Sequence, residues 1–314
     1  LFLDEIDDKM LIVAFECDND GGQIILNRVA IITDSNSGIT QAEAKELGVF
    51  VLPMPFTIDE VEYFEDINLT CNEFYEKLAA DADISTSQPS IDSVIKLWED
   101  TLKEYDEIVH IPMSSGLSGS CSTAMALAQD YEDKIEVVNN QRISITQRQS
   151  VLDALELVNI GKTAREIKEI LEENKFESSI YVMVDTLKYL KKGGRITPAA
   201  AALGTVLRLK PVLQIQGEKL EAFAKAKTVK QAKSIMMNAI HDDIENRFGG
   251  IEAKEVSLQI AHSHNEEAAY KLKEELEEIY PGIPIYVDEL SLSVACHIGP
   301  GSLAIGCSRK VKNK

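Results

Sequence analysis

"EIVHIPMSSGLSGSCSTAMALAQD", residues 107–130, passes from an apolar run through a loop of serines and glycines into an alanine-containing run. The first part reads as a buried strand and the last as a helix. Its serines and glycines therefore stand where a strand ends and a helix begins. That edge is where α/β proteins place their ligands. Free backbone N–H groups and the positive end of the helix dipole favour an anion there, and Gly116 and Gly119 allow close approach. Three uses of the loop remain open: a serine nucleophile, a cradle for phosphate or carboxylate, or a helix start and nothing more.

Outward from this loop the same alternation continues. "VAIITD" (29–34), "VFVLPMPF" (49–56) and "IEVVNN" (135–140) read as further buried strands separated by helical patterns, which predicts a mainly parallel sheet. Thr40 with Glu43 and Thr70 with Glu73 form capping boxes, and Leu69 with Phe74 forms a staple at the second. Ile91, Val94, Ile95, Trp98 and Leu102 recur at helical spacing, which places Trp98 in the core. A helix capped by Thr163 and Glu166 closes this half. Strands "IYVMVD" (180–185), "PVLQIQ" (211–216), "VSLQIAHS" (256–263), "PIYVDELS" (284–291) and "SLAIGCS" (302–308) then surround two helices, one capped by Thr228 with Gln231 and one opening at Asn265. The fold class is α/β, with two α/β domains and a ligand site at their junction. The expected division is an unassigned extension at 1–28, a first domain at 29–175 and a second at 176–314. Residues 1–27, with seven acids and one lysine, read as an extra hairpin or an arm.

Composition narrows the function. With 32 Lys and Arg against 52 Asp and Glu, the net charge is −20, which repels nucleic acid phosphates. No apolar run approaches the roughly 20 residues that span a bilayer. The acidic start "LFLDEIDDKM" does not resemble a secretory signal, and five cysteines without C-x-x-C spacing suit a reducing compartment, so the expected location is cytoplasmic. One stretch is locally basic. Residues 186–211, "TLKYLKKGGRITPAAAALGTVLRLKP", contain Lys188, Lys191, Lys192, Arg195, Arg208 and Lys210 and no acid. Six such residues, read as uncompensated, suggest an anionic ligand group or an acidic partner.

The serine loop lacks the G-x-S-x-G elbow of a hydrolase and the G-K-[ST] ending of a phosphate loop, and "TDSNSG" after the first strand is not G-x-G-x-x-G. A hydrolase using Ser118 with His297 also lacks a recognisable acidic partner for the histidine. His262 and His264 alternate onto one face of a strand, but no further metal ligand lies near them in sequence, and no metal or cofactor is expected. Two other special turns accompany the loop: "STSQPS" (85–90) and "HIGPG" (297–301).

Taken in order, "IITDSNSG", "TSQPS", "SSGLSGS", "DTLKYLKKGGRI", "LKPVL" and "HIGPG" resemble the DegV family of bacterial fatty-acid-binding proteins, along nearly the whole chain from Val29 to Val311. The resemblance implies a lipid-binding carrier, not an enzyme. A long-chain fatty acid would lie buried in the second domain with its carboxylate at the junction, and a separate fatty acid kinase subunit would phosphorylate it for phospholipid synthesis. It further implies that Thr86, Ser118 and His297 hold the carboxylate, with Ser87, Ser115 and Gly119 supporting their loops, and that Arg195 serves phosphoryl transfer or the kinase contact. Hydroxyls, amides and a histidine suit one carboxylate that stays reachable. The chain departs from the family pattern at "NNQRISITQRQS" (139–150), read as a bulky charged loop near the ligand entrance or the partner contact, where relatives carry Asp-Ser and a glycine-containing run.

Overall fold

The structure, a computed structural model, describes residues 27–311 apart from 66, 204–208 and 251–254, together with a strand pair nearer the amino terminus. That pair, β1 (Glu16–Cys17) and β2 (Gln23–Ile24), is antiparallel. It matches the hairpin expected in the acidic extension; the rest of residues 1–26 lies outside the described residues.

The first half runs β3 (Val29–Asp34), α1 (Gln41–Leu47), β4 (Phe50–Leu52), β5 (Phe56–Ile58), β6 (Val61–Tyr63), α2 (Cys71–Ala79), β7 (Ile84–Thr86), α3 (Ile91–Thr101), β8 (Glu107–Ile111), α4 (Ser120–Ala128), β9 (Ile135–Val137), α5 (Ser144–Asn159) and α6 (Ala164–Glu173). Four of these strands make a wholly parallel sheet in the order β4-β3-β8-β9. All six residues of β3 are buried, as expected for a strand covered on both faces. "VFVLPMPF" does not form one strand. Pro53 and Pro55 cannot donate to a ladder, so β4 stops at Leu52 and β5 opens a different, antiparallel sheet, β6-β5-β7. That small sheet carries Thr86 at its last residue. Thr70 and Glu73 complete a reciprocal capping box on α2, and Trp98 is fully buried, edge-on to His110 and Tyr131.

The second half runs β10 (Ser178–Met183), α7 (Lys188–Gly193), α8 (Pro198–Leu203), β11 (Lys210–Ile215), β12 (Leu220–Ala226), α9 (Val229–Asn246), β13 (Val256–His262), α10 (Glu266–Ile279), β14 (Ile285–Glu289), α11 (Leu292–Ile298) and β15 (Leu303–Arg309). Its six strands follow the order β12-β11-β10-β15-β13-β14, antiparallel except for β13 with β14. The strands of the parallel sheet end by residue 137 and those of the six-stranded sheet start at 178. This separation supports a domain boundary near residue 175, which we propose on that basis.

Helix α5 joins the two sheets. It packs on β3 and β8 on one side and on β10, β13 and β15 on the other. Residues 144–150, read from sequence as a charged loop, are instead its first two turns, and all of them are buried. Covered on both sides, the helix has no single apolar stripe to give it away. Some of its polar groups find partners inside: Gln147 Nε2 donates to Thr33 Oγ1, Asp34 Oδ1 and the Ile111 carbonyl, each at 3.1 Å, while Gln147 Oε1 and Ser144 Oγ are buried with no hydrogen-bond partner among the described residues. Arg148 pairs with Glu43 and lies 4.2 Å over the Tyr286 ring. Gly306 of β15 lets Ile145 rest on the sheet, because a Cβ there would stand 2.5 Å from Ile145 Cδ1.

Candidate functional site

Between the two sheets lies a cavity of about 250 Å³. Its body is apolar, walled by side chains such as Ile145 of α5, Ile180 and Val182 of β10, Ala261 of β13 and Ala304 of β15. Polar groups also line it: Thr86, Ser87, Gln88, Ser118, Gly119, Arg195 and His297. Six of the seven residues singled out from sequence thus reach one cavity. Ser115 is not among its lining residues.

Each polar group arrives on a different element. Thr86 ends β7, and its Oγ1 lies 2.7 Å from His297 Nε2, on the last turn of α11. Ser118 precedes α4, its backbone N–H donating to the Ser114 carbonyl at 3.1 Å and its Oγ accepting from Ser120 N at 3.2 Å. Gly119, the N-cap of α4, has no side chain to cap with, and the Ser118 hydroxyl takes the Ser120 N–H in its place. The loop is anchored from the other half of the chain: Ser114 Oγ donates to the Glu218 carbonyl at 3.0 Å, and a Cβ on Gly116 would stand 2.5 Å from the same oxygen. Gly193 of α7 likewise abuts the imidazole, since its Cβ would fall 2.1 Å from His297 Nδ1.

Burial, aided by the nearby Arg195 charge, pushes the His297 pKa down to about 4, so the ring is neutral at pH 7. Its Nδ1 is buried without a hydrogen-bond partner. Arg195 is exposed, and its Nη1 donates to the Gly193 carbonyl at 2.5 Å. The guanidinium thus braces the Gly-Gly turn, and Arg195 also lines the cavity. The surrounding basic stretch is not uncompensated: Lys188 pairs with Asp81 and Lys192 with Asp83, each at 2.8 Å, and Lys210 pairs with Asp185. The acids come from a distant loop and from the residue just before the stretch, so local composition hid them. Arg208 lies outside the described residues.

Sequence reasoning missed Asn36, Gln88, Ser144 and Ser293, which also line the cavity. Asn36 Oδ1 accepts from both Ser291 and Ser293, and its placement depends on Asp34, whose carboxylate accepts from Asn36 N at 3.0 Å and Met113 N at 2.8 Å. Burial raises the Asp34 pKa to about 6. "IITDSNSG" was legible as a motif, but nothing in it distinguishes the residue that faces the cavity.

Fold and cavity together define an α/β protein with an apolar cavity between its two larger sheets, lined at its polar part by hydroxyls and an imidazole. A family model described as uncharacterised protein, DegV family, matches residues 28–310, and the chain belongs to that family. Protein DegV of Bacillus subtilis is 32% identical over 282 residues, covering 88% of this chain and 98% of the relative. Two solved structures are similar throughout. One is a DegV family protein from Thermus thermophilus described for its fatty acid binding, at 30% identity and TM-score 0.81, covering 90% of this chain and 99% of that one. The other is DegV from Bacillus subtilis, described as a fatty acid binding protein, at 31% identity and TM-score 0.78, covering 90% and 100%. Among the described residues, no helix is long and apolar enough to cross a membrane.

Proposed function

We propose that this protein binds one long-chain fatty acid, burying the acyl chain between its sheets and holding the carboxylate at Thr86, Ser118 and His297. The observation that carries the reading is the apolar cavity whose polar residues include all three of these. The fatty acid binding described for the Thermus thermophilus and Bacillus subtilis proteins supports it. Each buried methylene contributes roughly 0.8 kcal/mol, so a long chain needs few polar contacts. Mass spectrometry of a mild organic extract tests the reading: about one fatty acid per chain is expected, and an empty protein that also fails to take up added fatty acid would sink it.

In the finer part of this proposal the bound acid is presented to a separate kinase, which converts the carboxylate to an acyl phosphate. The exposed Arg195 guanidinium beside the mouth, suited to paired contacts with phosphate or carboxylate, supports this role. Arg195→Ala is then expected to keep its fatty acid and thermal stability yet fail to yield acyl phosphate with the kinase; loss of both, or of neither, would reject it. The rival, a serine hydrolase using Ser118 and His297, is disfavoured by the imidazole itself. His297 Nε2 is engaged by Thr86, and among the described residues no carboxylate orients its Nδ1.

A further inference from the structure

On the face of β15 that looks toward α5, one position carries no side chain. Residues alternate along this strand: Leu303, Ile305 and Cys307 pack into the core shared with α9 and α10, while Ala304 and Gly306 turn to the other side, where Ala304 forms part of the cavity wall. Gly306 is not itself a lining residue. Its register partners are Ile180 of β10, which lines the cavity, and Gln259 of β13. A glycine paired on both sides in the middle of a sheet weakens the strand, and it marks a place where another group must come close.

The group that comes close is Ile145. A Cβ on Gly306 would stand 2.5 Å from Ile145 Cδ1 and 3.1 Å from its Cγ1, whereas the Ser179 carbonyl oxygen, at 3.6 Å, would be an ordinary contact. The conflict is with the tip of one side chain, and a tip can swing. Ile145 is fully buried, is carried on α5 and lines the cavity, so the cavity is the open space beside it. Glycine at 306 lets the isoleucine lie back against the sheet. A larger residue would turn it into the room between the sheets.

We propose that Gly306 is a specificity-determining position that acts through Ile145 and sets the length of acyl chain the cavity holds. The proposal rests on the fatty acid reading given above and deepens it. Because Gly306 lies outside the lining, it is a positioning residue, and its effect passes entirely through the side chain that it accommodates.

The full chain, stripped of bound lipid, is offered an equimolar mixture of lauric, myristic, palmitic, stearic and arachidic acids, and the bound acids are quantified by mass spectrometry. Gly306→Ala is expected to shift the bound profile toward shorter acids, the longest acid that the wild type retains losing about fourfold against the next shorter one, the worth of one buried methylene. Ile145→Val, which removes Cδ1, is expected to shift the profile toward longer acids, and the two substitutions combined to restore the wild-type profile. A strand interior favours alanine over glycine, so Gly306→Ala is expected to stay folded by circular dichroism. An unchanged profile in Gly306→Ala, an equal loss of every acid, failure of that variant to fold, or a profile that Ile145→Val does not restore would each overturn the proposal while leaving fatty acid binding intact. A wild type that takes up none of the acids would instead mark the failure of the fatty acid reading, and the proposal would fall with it.

Discussion

At the mouth of the cavity a single hydrogen bond, Thr86 Oγ1 to His297 Nε2, joins two halves of the chain that are 211 residues apart. A neutral imidazole suits this place, because it can be polarised by an arriving carboxylate without a charge that must be buried in its absence. Nuclear magnetic resonance of the ligand-free protein is expected to show His297 titrating near pH 4, below the ordinary 6.5. Arg195→Gln removes a neighbouring positive charge and is expected to move that midpoint upward, though not fully, since burial is the larger cause. A midpoint near 6.5 in the wild type would contradict the burial described for the ring. Ser118→Ala is expected to weaken fatty acid binding by about 1–3 kcal/mol, the range for losing a hydrogen bond to a charged group, as read by calorimetry. An unchanged affinity in Thr86→Ala combined with Ser118→Ala would remove both from the site.

Among the elements, the loop between β8 and α4 and the turn between β11 and β12 act as one unit, because Gly116 lies against the Glu218 backbone. A methyl group cannot be accommodated there by moving a flexible side chain. Gly116→Ala is expected to destabilise the fold by about 1–3 kcal/mol and to loosen the ligand, as measured by denaturant unfolding and binding on the same sample. The ion pairs of α7 with Asp81 and Asp83 differ in kind. All four side chains are largely exposed, so Asp81→Asn with Asp83→Asn should leave the thermal midpoint almost unmoved. Periodicity made the long elements readable: the buried parallel strands, the boxed α2 and α6, and Trp98 on the apolar side of α3. It could not reveal β5, β6 and β7, three residues each, nor β12, whose exposed "EAF" interrupts any alternation. The candidate site was legible as motifs at loop ends; Asn36, Ser144 and Ser293 were not, because their roles arise from packing between segments far apart in sequence. The same separation hid the acids that pair with Lys188 and Lys192.

For the molecule as a whole, buried titratable groups pull stability in opposite directions with pH. His110 and His297 have pKa values lowered to about 4, so the unfolded chain takes up protons below about 6.5 that the folded one refuses, and their contribution falls as pH drops from 6.5 to 4. Asp34 and Asp153, raised to about 6, keep protons that the unfolded chain releases above 3.8, and their contribution falls as pH climbs toward 6. Because His110 has no hydrogen-bond partner at either nitrogen among the described residues and packs on Trp98, His110→Phe removes one of the acid-sensitive groups while keeping a ring. Relative to the wild type, its thermal midpoint is expected to improve as pH falls from 6.5 toward 4; a constant difference would refute this. The placement of α5 has a further consequence. Its Gln147 fastens the polar edge of one sheet, while Ile145, two residues earlier, forms part of the cavity wall against the other. The residues proposed to hold a guest's head, Thr86, Ser118 and His297, stand on other elements than the wall formed by Ile145, Ala261 and Ala304, so the volume available to a guest can drift over evolutionary time through the wall while those head contacts stay as they are.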